Sequence, residues 1–375
     1  MTHTAEQLRA IAAQFQIWGD FVSAVPHGSG RINDTYKLSL DAAGTPVNYI
    51  LQRVNHAIFP RPELVMENIA RVTRHIAGKL ESRPGASRRA ATIVPARDGA
   101  AFFRDPDGNC WRVYLFIENA RTYNVVETAA QAFEAARAFA RFQNQLADLP
   151  APRLHETLPN FHNSTLRVSA LDAAESLDVC GRVAEAAPEL ALINARRPRY
   201  CGHLEALADL GALPERITHN DTKINNVMLD TATGEAICVI DLDTVMPGLA
   251  LYDFGDMARS TTASAGESEH DISRIHCRLD IFEALARGYL SEAAFLTAGE
   301  LREAVFATRL ITLTLAVRYL TDYLSGDTYF KIRHPSQNLI RCRVQLQMFR
   351  SMEAQSDAME AIIREVSRQC GLPRA

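Results

Sequence analysis

The stretches ITHNDTKINNVMLD at residues 217–230 and ICVIDLDTVMPG at residues 237–248 decide the fold of this chain. Two mostly apolar runs, 226–229 and 236–240, flank the turn sequence TATGE and predict a β-hairpin. Polar residues stand at the ends of both runs, where rigid strands hold loop side chains in fixed positions. We therefore expect this hairpin to carry a functional site.

The segment before the hairpin contains the groups that phosphoryl transfer needs: a carboxylate for the hydroxyl proton, a cation for the moving phosphoryl group and an oxygen ligand for Mg²⁺. The spacing predicts Asp221 and Lys223 as catalytic residues. Twenty residues after Asp221, the second strand ends at Asp241. The hairpin would return Asp241 beside Asn226, so these two residues are the predicted ligands of Mg²⁺.

Three residues near this segment have a second interpretation. His219 is expected to support the loop rather than to transfer a proton. Lys223 is either a phosphate ligand or a surface lysine, and its position in a chain with only four lysines favours the phosphate. Asp243 either assists metal or sugar binding or caps a turn.

The string Asp253-Phe254-Gly255 spells the D-F-G signature of protein kinases. It lies 32 residues after Asp221 and beyond the hairpin. A metal ligand at this place would need a different course of the chain, so we expect Asp253 to support the backbone of the loop around Asp221.

A turn-rich segment near the N-terminus, HGSGRIND at 27–34, is expected to bind a nucleotide. Gly28 and Gly30 allow backbone N–H groups to approach phosphates, and Asn33 belongs to the same turn. Between the two predicted parts of the chain, Phe116 and Glu118 occupy the place of a hinge strand. There they would offer backbone groups to an adenine.

The third predicted strand, YILQRV at 49–54, has no lysine where protein kinases place their phosphate-binding cation. Arg53 is the candidate replacement, with Glu67 on the following helix as its partner. Strand alternation leaves open whether Gln52 or Arg53 faces the cleft.

The secondary-structure pattern divides the chain near residues 117–122. Short predicted strands and one helix from Pro62 indicate a small antiparallel sheet in residues 1–118. An alanine-rich helix at 127–147 begins a mainly helical part, residues 119–375. The predicted fold class is α+β, with an N-terminal nucleotide-binding lobe and a C-terminal catalytic and substrate-binding lobe.

The composition excludes several classes of protein. The 375 residues are 47% hydrophobic and 22% charged, as in a globular chain with a sizeable core. A net charge of −4 gives no overall attraction to nucleic acid or to an anionic membrane. Seven scattered cysteines and the absence of a secretory pattern favour a reduced, cytoplasmic protein. The apolar segment 304–324 contains charged residues and predicts a buried helix.

These motifs resemble those of the kinase-like phosphotransferases, in particular the aminoglycoside phosphotransferase superfamily. The catalytic loop of that superfamily is similar to His219-x-Asp221-x-x-x-x-Asn226, and its metal aspartate resembles Asp241. Its Gly-x-x-Asn-x-x-Tyr turn is matched by Gly30, Asn33 and Tyr36. The resemblance implies a bilobal protein-kinase-like fold, with ATP and Mg²⁺ as cofactors and a small alcohol as the acceptor.

Longer phrases resemble the N-acetylhexosamine 1-kinases within this superfamily, among them HGSGRINDTY, WRVYLFIENARTY and DLDTVMPGLALYDFGD. This resemblance implies phosphorylation of the anomeric 1-hydroxyl of GlcNAc or GalNAc. It leaves open the preference between the two sugars, and the sequence leaves open the oligomeric state.

An amino-sugar site needs amide and carboxylate groups for the hydroxyls and an aromatic face for the ring. The candidates for substrate contacts are Asp243, His162, Asn163, Arg318, Asp322 and Tyr323. Because Arg318 and Asp322 are four residues apart on a predicted helix, they either contact the sugar or pair with each other.

Two other functions stay open. A kinase-like phosphotransferase for another hexose, choline, homoserine or an aminoglycoside would carry the same motifs. Choline calls for an aromatic cage, and the arginine-rich C-terminal region disfavours a polycationic aminoglycoside. A non-catalytic nucleotide-binding scaffold is disfavoured by the intact Asp221, Asn226 and Asp241.

Overall fold

The computed structural model describes residues 3–28, 30, 32–81 and 85–374, so Ser29 and Arg31 of the predicted glycine turn lie outside the described residues. The N-terminal part is built around an antiparallel sheet with the strand order β1-β2-β3-β6-β4 and with β5 beside β6. Its strands are β1 (Asp20–Pro26), β2 (Asp34–Ala42), β3 (Thr45–Val54), β4 (Ile93–Val94), β5 (Phe103–Arg104) and β6 (Cys110–Leu115). Its helices are α1 (Ala5–Ala12), α2 (Pro62–Leu80) and α3 (Ala86–Arg89).

Strand alternation gives this sheet two different faces. Leu38, Leu51 and Trp111 point to the outer face, where they form an apolar core with α1. Gln52 and Arg112 lie opposite each other in the β3–β6 ladder and point to the other face, which we call the cleft face. Helix α2 and segments of the C-terminal part cover much of the cleft face through a second apolar core.

The C-terminal part is mainly helical. Its helices are α4 (Ala129–Leu146), α5 (Ser164–Leu177), α6 (Ala187–Tyr200), α7 (His203–Asp209), α8 (Ala250–Thr261), α9 (Leu279–Leu290), α10 (Ala298–Leu324), α11 (Gln337–Ala354) and α12 (Ser356–Gln369). Its strands are β7 (Ala120–Arg121), β8 (Arg216–Thr218), β9 (Val227–Asp230), β10 (Ala236–Val239) and β11 (Met246–Gly248). They form two small sheets, ordered β10-β9-β7 and β11-β8. Short 3₁₀ turns occupy Ile224–Asn226, Leu242–Thr244 and Ile272–Arg274.

Helix α10 is the central helix of this part and packs against α5, α8 and α11. It is long and apolar enough to cross a membrane by length and composition, but 78% of its most apolar window is buried inside the protein. This burial is that of a core helix, as the sequence predicts. Gly255 lets α8 approach α10 closely, because a Cβ at this position would lie 2.7 Å from the carbonyl oxygen of Ala307.

The α+β fold class predicted from the sequence is confirmed, and the predicted hairpin forms as β9 and β10. Helix α4 begins after Thr128, whose side chain accepts from Gln131 N in a capping box. The ladder between β8 and β11 was not predicted, because strands of three residues carry no readable alternation. The boundary between residues 1–118 and 119–375 stays a prediction, and β7, directly after it, pairs with β9.

Candidate active site

Buried contacts hold the loop between β8 and β9, residues 219–226, which we call the catalytic loop. His219 is fully buried, and its Nε2 lies 2.9 Å from the carbonyl oxygen of Ile240. The ring of His219 packs edge-on against Phe139 and Phe142. His219 therefore supports the loop, as expected.

Helix α8 also supports this loop. Asp253 accepts hydrogen bonds from the backbone N–H groups of His219, at 2.8 Å, and Asn220, at 2.6 Å. Burial raises the pKa of Asp253 to about 6, while His219 and the hydrogen bonds to the carboxylate act in the opposite direction. The expected supporting role of Asp253 is confirmed. Asp256, which the sequence did not single out, accepts from Thr222 N at 3.0 Å.

We expect Asp253→Ala to lower the free energy of unfolding by about 3 kcal/mol, because two buried backbone N–H groups would lose their acceptor. Chemical denaturation measures this loss. The control is Asp271→Ala, which removes an acceptor from Ser273 N in an exposed turn and should lower the unfolding midpoint much less. Equal midpoints for the two variants would contradict the supporting role.

Asp221 lies at the centre of the catalytic loop. Its Oδ2 is 3.0 Å from Lys223 Nζ and 3.1 Å from Asn226 Nδ2, which also donates to the backbone oxygen of Asp221 at 2.7 Å. Burial opposes ionisation of Asp221, but the charge and hydrogen bond of Lys223 act together with His219 and Asn226 and lower the pKa of this carboxyl. With 29% of its side chain exposed, Asp221 is an ionised carboxylate that can accept a proton in the cleft.

Asp241 and Asn226 come together because Ile240 N donates to the backbone oxygen of Asn226 at 2.9 Å. Asp241 adopts a left-handed conformation, with φ 61°, directly after this contact. Although its side chain is open to the cleft, the surrounding protein and the carboxylates of Asp243 and Asp221 raise the pKa of Asp241 to about 7. Asp221 and Asp243 already pair with Lys223 and Arg112, so Asp241 is the carboxyl group of the three that could bind a further cation.

The donor set of this pair fits Mg²⁺. Since Asn226 Nδ2 donates to Asp221, its Oδ1 is left without a hydrogen-bond partner among the described residues. Across the described part of the chain, no group of three or more His, Cys, Asp or Glu side chains could hold a metal by itself. One carboxylate and one amide oxygen still suit Mg²⁺, which keeps several waters and relies on the phosphates of its substrate.

The prediction for Arg53 is wrong, because this residue lies on the outer face of the sheet. Arg53 Nε donates to Asp34 Oδ2 at 2.9 Å, and its Nη1 donates to Asn109 at 3.1 Å. Glu67 contacts His155 Nε2 at 2.9 Å, so the expected Arg53–Glu67 pair is not formed. The ladder instead points Gln52 into the cleft face.

Asp243 is buried between the two parts of the chain. It forms an ion pair with Arg112 Nη1, and its other oxygen accepts from Asn33 Nδ2 at 2.6 Å. The predicted sugar contact of Asp243 is therefore wrong, because both of its carboxylate oxygens are taken by the N-terminal part. Asn33 also accepts from Asn55 N at 3.0 Å, so its side chain links two loops, and its contact with a nucleotide stays a prediction.

The glycines of the predicted phosphate turn are open to their surroundings. Gly28 has a φ of 79°, which a residue with a side chain rarely adopts. A Cβ at Gly28 or Gly30 would meet nothing within 4 Å. Their contact with phosphates stays a prediction.

One backbone N–H group of the predicted hinge already forms a hydrogen bond within the protein. Phe116 N donates to Asn48 O at 3.3 Å, so this N–H serves the sheet and not an adenine. Glu118 Oε1 accepts from Asn48 Nδ2 at 2.8 Å, and Lys37 Nζ lies 4.5 Å from the centre of the Phe116 ring. A nucleotide contact of Phe116 and Glu118 thus stays a prediction that rests on their other groups.

One of the predicted substrate residues, His162, lies beside the catalytic loop, and the next residue, Asn163, caps a helix. His162 Nε2 is 3.2 Å from the backbone oxygen of Asn220. Burial lowers the pKa of His162 to about 3, and Arg318 acts in the same direction, so the imidazole is neutral at pH 7. Asn163 caps α5 by accepting from Leu166 N at 2.9 Å.

Asp322 and Tyr323 have structural roles, so their predicted sugar contacts are wrong. Asp322 is buried and accepts from the backbone N–H groups of Tyr329, at 2.8 Å, and Phe330, at 2.9 Å. Tyr323 is buried and donates to Glu185 at 2.7 Å. The alternative pair of Arg318 and Asp322 does not form either, because the Asp322 carboxylate is occupied.

Arg318 lies over an aromatic cluster that we define as Phe161, Tyr329 and Phe330, with its guanidinium 4.8 to 5.6 Å from the ring centres. Arg167 donates to the backbone oxygen of Phe161 at 2.9 Å. Burial and repulsion from Arg318 lower the pKa of Arg167 to about 10. Within the described ranges, neither guanidinium forms an ion pair with a carboxylate. This region is therefore aromatic and positively charged.

A family model described as "Phosphotransferase enzyme family" matches residues 23–295. The chain belongs to this family. The match includes the catalytic loop, Asp241 and the supporting helix α8. The protein is thus an enzyme, a phosphotransferase.

Solved structures with the same architecture show the fold of this phosphotransferase. It is similar to an aminoglycoside phosphotransferase from Alicyclobacillus acidocaldarius, with 13% identity, a TM-score of 0.55, and coverage of 99% of this chain and 98% of that one. It is also similar to a spectinomycin phosphotransferase in complex with ADP and spectinomycin, with 14% identity, a TM-score of 0.54, and coverage of 99% of each chain. A choline kinase from Cryptosporidium parvum has 13% identity and a TM-score of 0.54, and the match covers 89% of this chain and 90% of that one. At these identities the likeness shows the fold alone, and the predicted kinase-like fold is confirmed.

Proposed function

We propose that this phosphotransferase transfers the γ-phosphoryl group of ATP to the anomeric 1-hydroxyl of an N-acetylhexosamine, GlcNAc or GalNAc. The observation that carries phosphoryl transfer is the ionised Asp221 carboxylate, 3.0 Å from Lys223 and joined to Asn226 of the cation site. The choice of sugar is supported by the long phrases that resemble the N-acetylhexosamine 1-kinases. The use of ATP is supported by the ADP bound to the similar spectinomycin phosphotransferase.

The proposed mechanism follows from the geometry of the catalytic loop. Asp221 orients the 1-hydroxyl for in-line attack and accepts its proton. Lys223 stabilises the negative charge on the transferred phosphoryl group. Asn226 and Asp241 would hold Mg²⁺, which neutralises phosphate oxygens when bound. Because an anomeric hydroxyl is more acidic than an ordinary alcohol, positioning contributes more than proton removal.

The region around the aromatic cluster, where we place the acceptor, disfavours cationic alcohols. Arg318 and Arg167 lie near the aromatic cluster without a carboxylate partner, and the two positive charges would repel the ammonium groups of choline or of an aminoglycoside. A neutral N-acetyl sugar avoids this repulsion and has a ring face that suits aromatic side chains. We propose small molecules as the partners, without nucleic acid or membrane, and the cytoplasm as the location, because the net charge of −4 gives no overall attraction to polyanions and the scattered cysteines fit a reducing compartment.

Incubation with ATP, Mg²⁺ and a panel of acceptors tests the proposal, with phosphorus NMR of the products. The panel contains GlcNAc, GalNAc, glucose, choline and homoserine. A sugar 1-phosphate from GlcNAc or GalNAc is the expected product. A sugar 6-phosphate would contradict transfer to the anomeric hydroxyl. Turnover of choline or homoserine alone would show that the acceptor is not an N-acetylhexosamine.

We expect kcat/KM for glucosamine to be at least about tenfold below that for GlcNAc, because its ammonium group meets Arg318 and Arg167. Glucose is the control, since it lacks both the acetyl group and the charge. The Arg318→Met variant should have a smaller difference in kcat/KM between glucosamine and glucose than the wild type. Equal kcat/KM values for glucosamine and GlcNAc would remove these arginines from acceptor selection.

A further inference from the structure

A buried arginine of the N-terminal sheet contacts the segment that carries Asp241. We call this segment, residues 240–245, the metal loop. Arg112 is 1% exposed, and its Nη1 forms an ion pair with Oδ1 of Asp243, two residues after Asp241. Arg112 Nε donates to Gln52 Oε1 at 3.0 Å, which fixes the guanidinium to the third strand. The metal loop is thus connected directly to the cleft face of the sheet.

Helix α2 holds the same loop from a second side. Asn68 is buried, and its Nδ2 donates to the backbone oxygen of Val245 at 3.1 Å and to that of His155 at 2.8 Å. The side chains of Leu242 and Val245 enter the apolar core that covers α2. Sheet and helix together therefore fix both ends of the turn that follows Asp241.

The contact of Arg112 is charged and desolvated. Both partners are almost completely buried, with 1% of the Arg112 side chain and 4% of the Asp243 side chain exposed. Removing one member of such a pair leaves an uncompensated charge inside the protein, so its partner has to move or to take up water. Movement of Asp243 would displace Asp241, because only Leu242 separates them.

We propose that Arg112 is a positioning residue that holds the metal loop against the sheet and thereby sets the affinity for Mg²⁺-nucleotide. It acts from β6, whereas protein kinases use a lysine of the third strand and a helix glutamate to organise the same region. In this chain Gln52 of the third strand points to the cleft face and binds Arg112. The metal and the nucleotide in this inference rest on the proposed function, but the identity of the sugar does not enter it.

The test compares Arg112→Met with Arg53→Met. Arg53 is the matched control, because it is a paired arginine of the same sheet on the outer face. Titration calorimetry with Mg²⁺-ADP should show a Kd at least about tenfold higher for Arg112→Met and within twofold of wild type for Arg53→Met. Hydrogen exchange of the metal-free protein should be at least about tenfold faster in residues 241–245 of Arg112→Met alone. A purely structural role would lower the thermal midpoint and leave the Kd of the folded protein unchanged.

A second variant covers failure of Arg112→Met to fold. Arg112→Met combined with Asp243→Leu removes both buried charges, and such replacements by apolar residues usually preserve a fold. We expect this double variant to fold and to retain the weakened binding of Mg²⁺-ADP. Wild-type affinity in either folded variant, with unchanged exchange of the metal loop, would overturn the proposal.

The outcome is separable from that of the proposed function, because Mg²⁺-ADP binding requires no acceptor. A wild-type enzyme that binds Mg²⁺-ADP but phosphorylates no N-acetylhexosamine would refute the proposed acceptor and leave the role of Arg112 intact. Wild-type protein without Mg²⁺-dependent binding of ADP would overturn both.

Discussion

Asp221→Asn is expected to lower kcat by about 10³-fold while the protein stays folded. The variant keeps the size of the side chain and the Asn226 contact to the backbone oxygen of residue 221, but it cannot accept the hydroxyl proton. It also removes the negative charge that Lys223 contacts at 3.0 Å. A loss of this size corresponds to about 4 kcal/mol of transition-state stabilisation.

Steady-state kinetics with the best acceptor of the panel measure the effect of Asp221→Asn. Calorimetry with Mg²⁺-ADP and a thermal scan serve as controls, because an effect on chemistry leaves nucleotide affinity and folding nearly unchanged. Turnover within a few-fold of wild type would remove Asp221 from the role of base.

Asp241→Asn is expected to reduce kcat/KM for Mg²⁺-ATP by at least about 100-fold, because it removes the single carboxylate of the proposed cation site. The stability of the metal-free protein, in contrast, should not fall. The pKa of Asp241 is raised to about 7 by the surrounding protein, Asp243 and Asp221. A carboxyl with a raised pKa in the folded state contributes stability only when protonated, and that contribution is lost as the pH rises through about 7. Without metal at pH 8, the neutral amide should therefore be at least as stable as the wild type.

Kinetics over a range of Mg²⁺ concentrations and thermal scans in EDTA at pH 8 check both expectations. Asp230→Asn is the matched control, since Asp230 stands at the far end of the same hairpin and accepts from Ala232 N. Asp241→Asn with unchanged Mg²⁺ dependence and a lower thermal midpoint in EDTA would show that Asp241 is structural.

The catalytic loop was predictable because its residues lie close together in the sequence. One hairpin brings Asp221, Asn226 and Asp241 together, and the hairpin can be read from two apolar runs around a turn. The supporting role of Asp253 was also predicted correctly, because its separation of 32 residues from Asp221 argued against the role of metal ligand that the D-F-G signature has in protein kinases. In these cases local structure determines which side chains meet.

The errors arise where long-range packing decides the contacts. The choice between Gln52 and Arg53 depends on which face of the sheet meets α2, and one strand alone does not contain this information. Arg112 and its partner Asp243 are 131 residues apart, so no local pattern connects them. Asp322 shares a helix face with Arg318, but the turn after α10 supplies the N–H groups that occupy it.

The prediction against a cationic acceptor used the arginine-rich C-terminal region, and most of those arginines have other roles. Arg309 contacts Ser356, and Arg343 pairs with Glu189 at 2.8 Å. Arg318 remains near the catalytic loop, and Arg167 joins it from α5. The sequence did not single out Arg167, because its proximity to Arg318 depends on the packing of α5 against α10.

The narrow spacing at Gly255 makes activity sensitive to a position that does not face the cleft. Gly255 stands between Asp253 and Asp256, which hold the backbone on either side of Asp221. A methyl group at Gly255 would press against α10 and shift both carboxylates together. Natural or engineered variation at this contact would therefore alter the geometry of proton acceptance without changing any residue that touches a substrate.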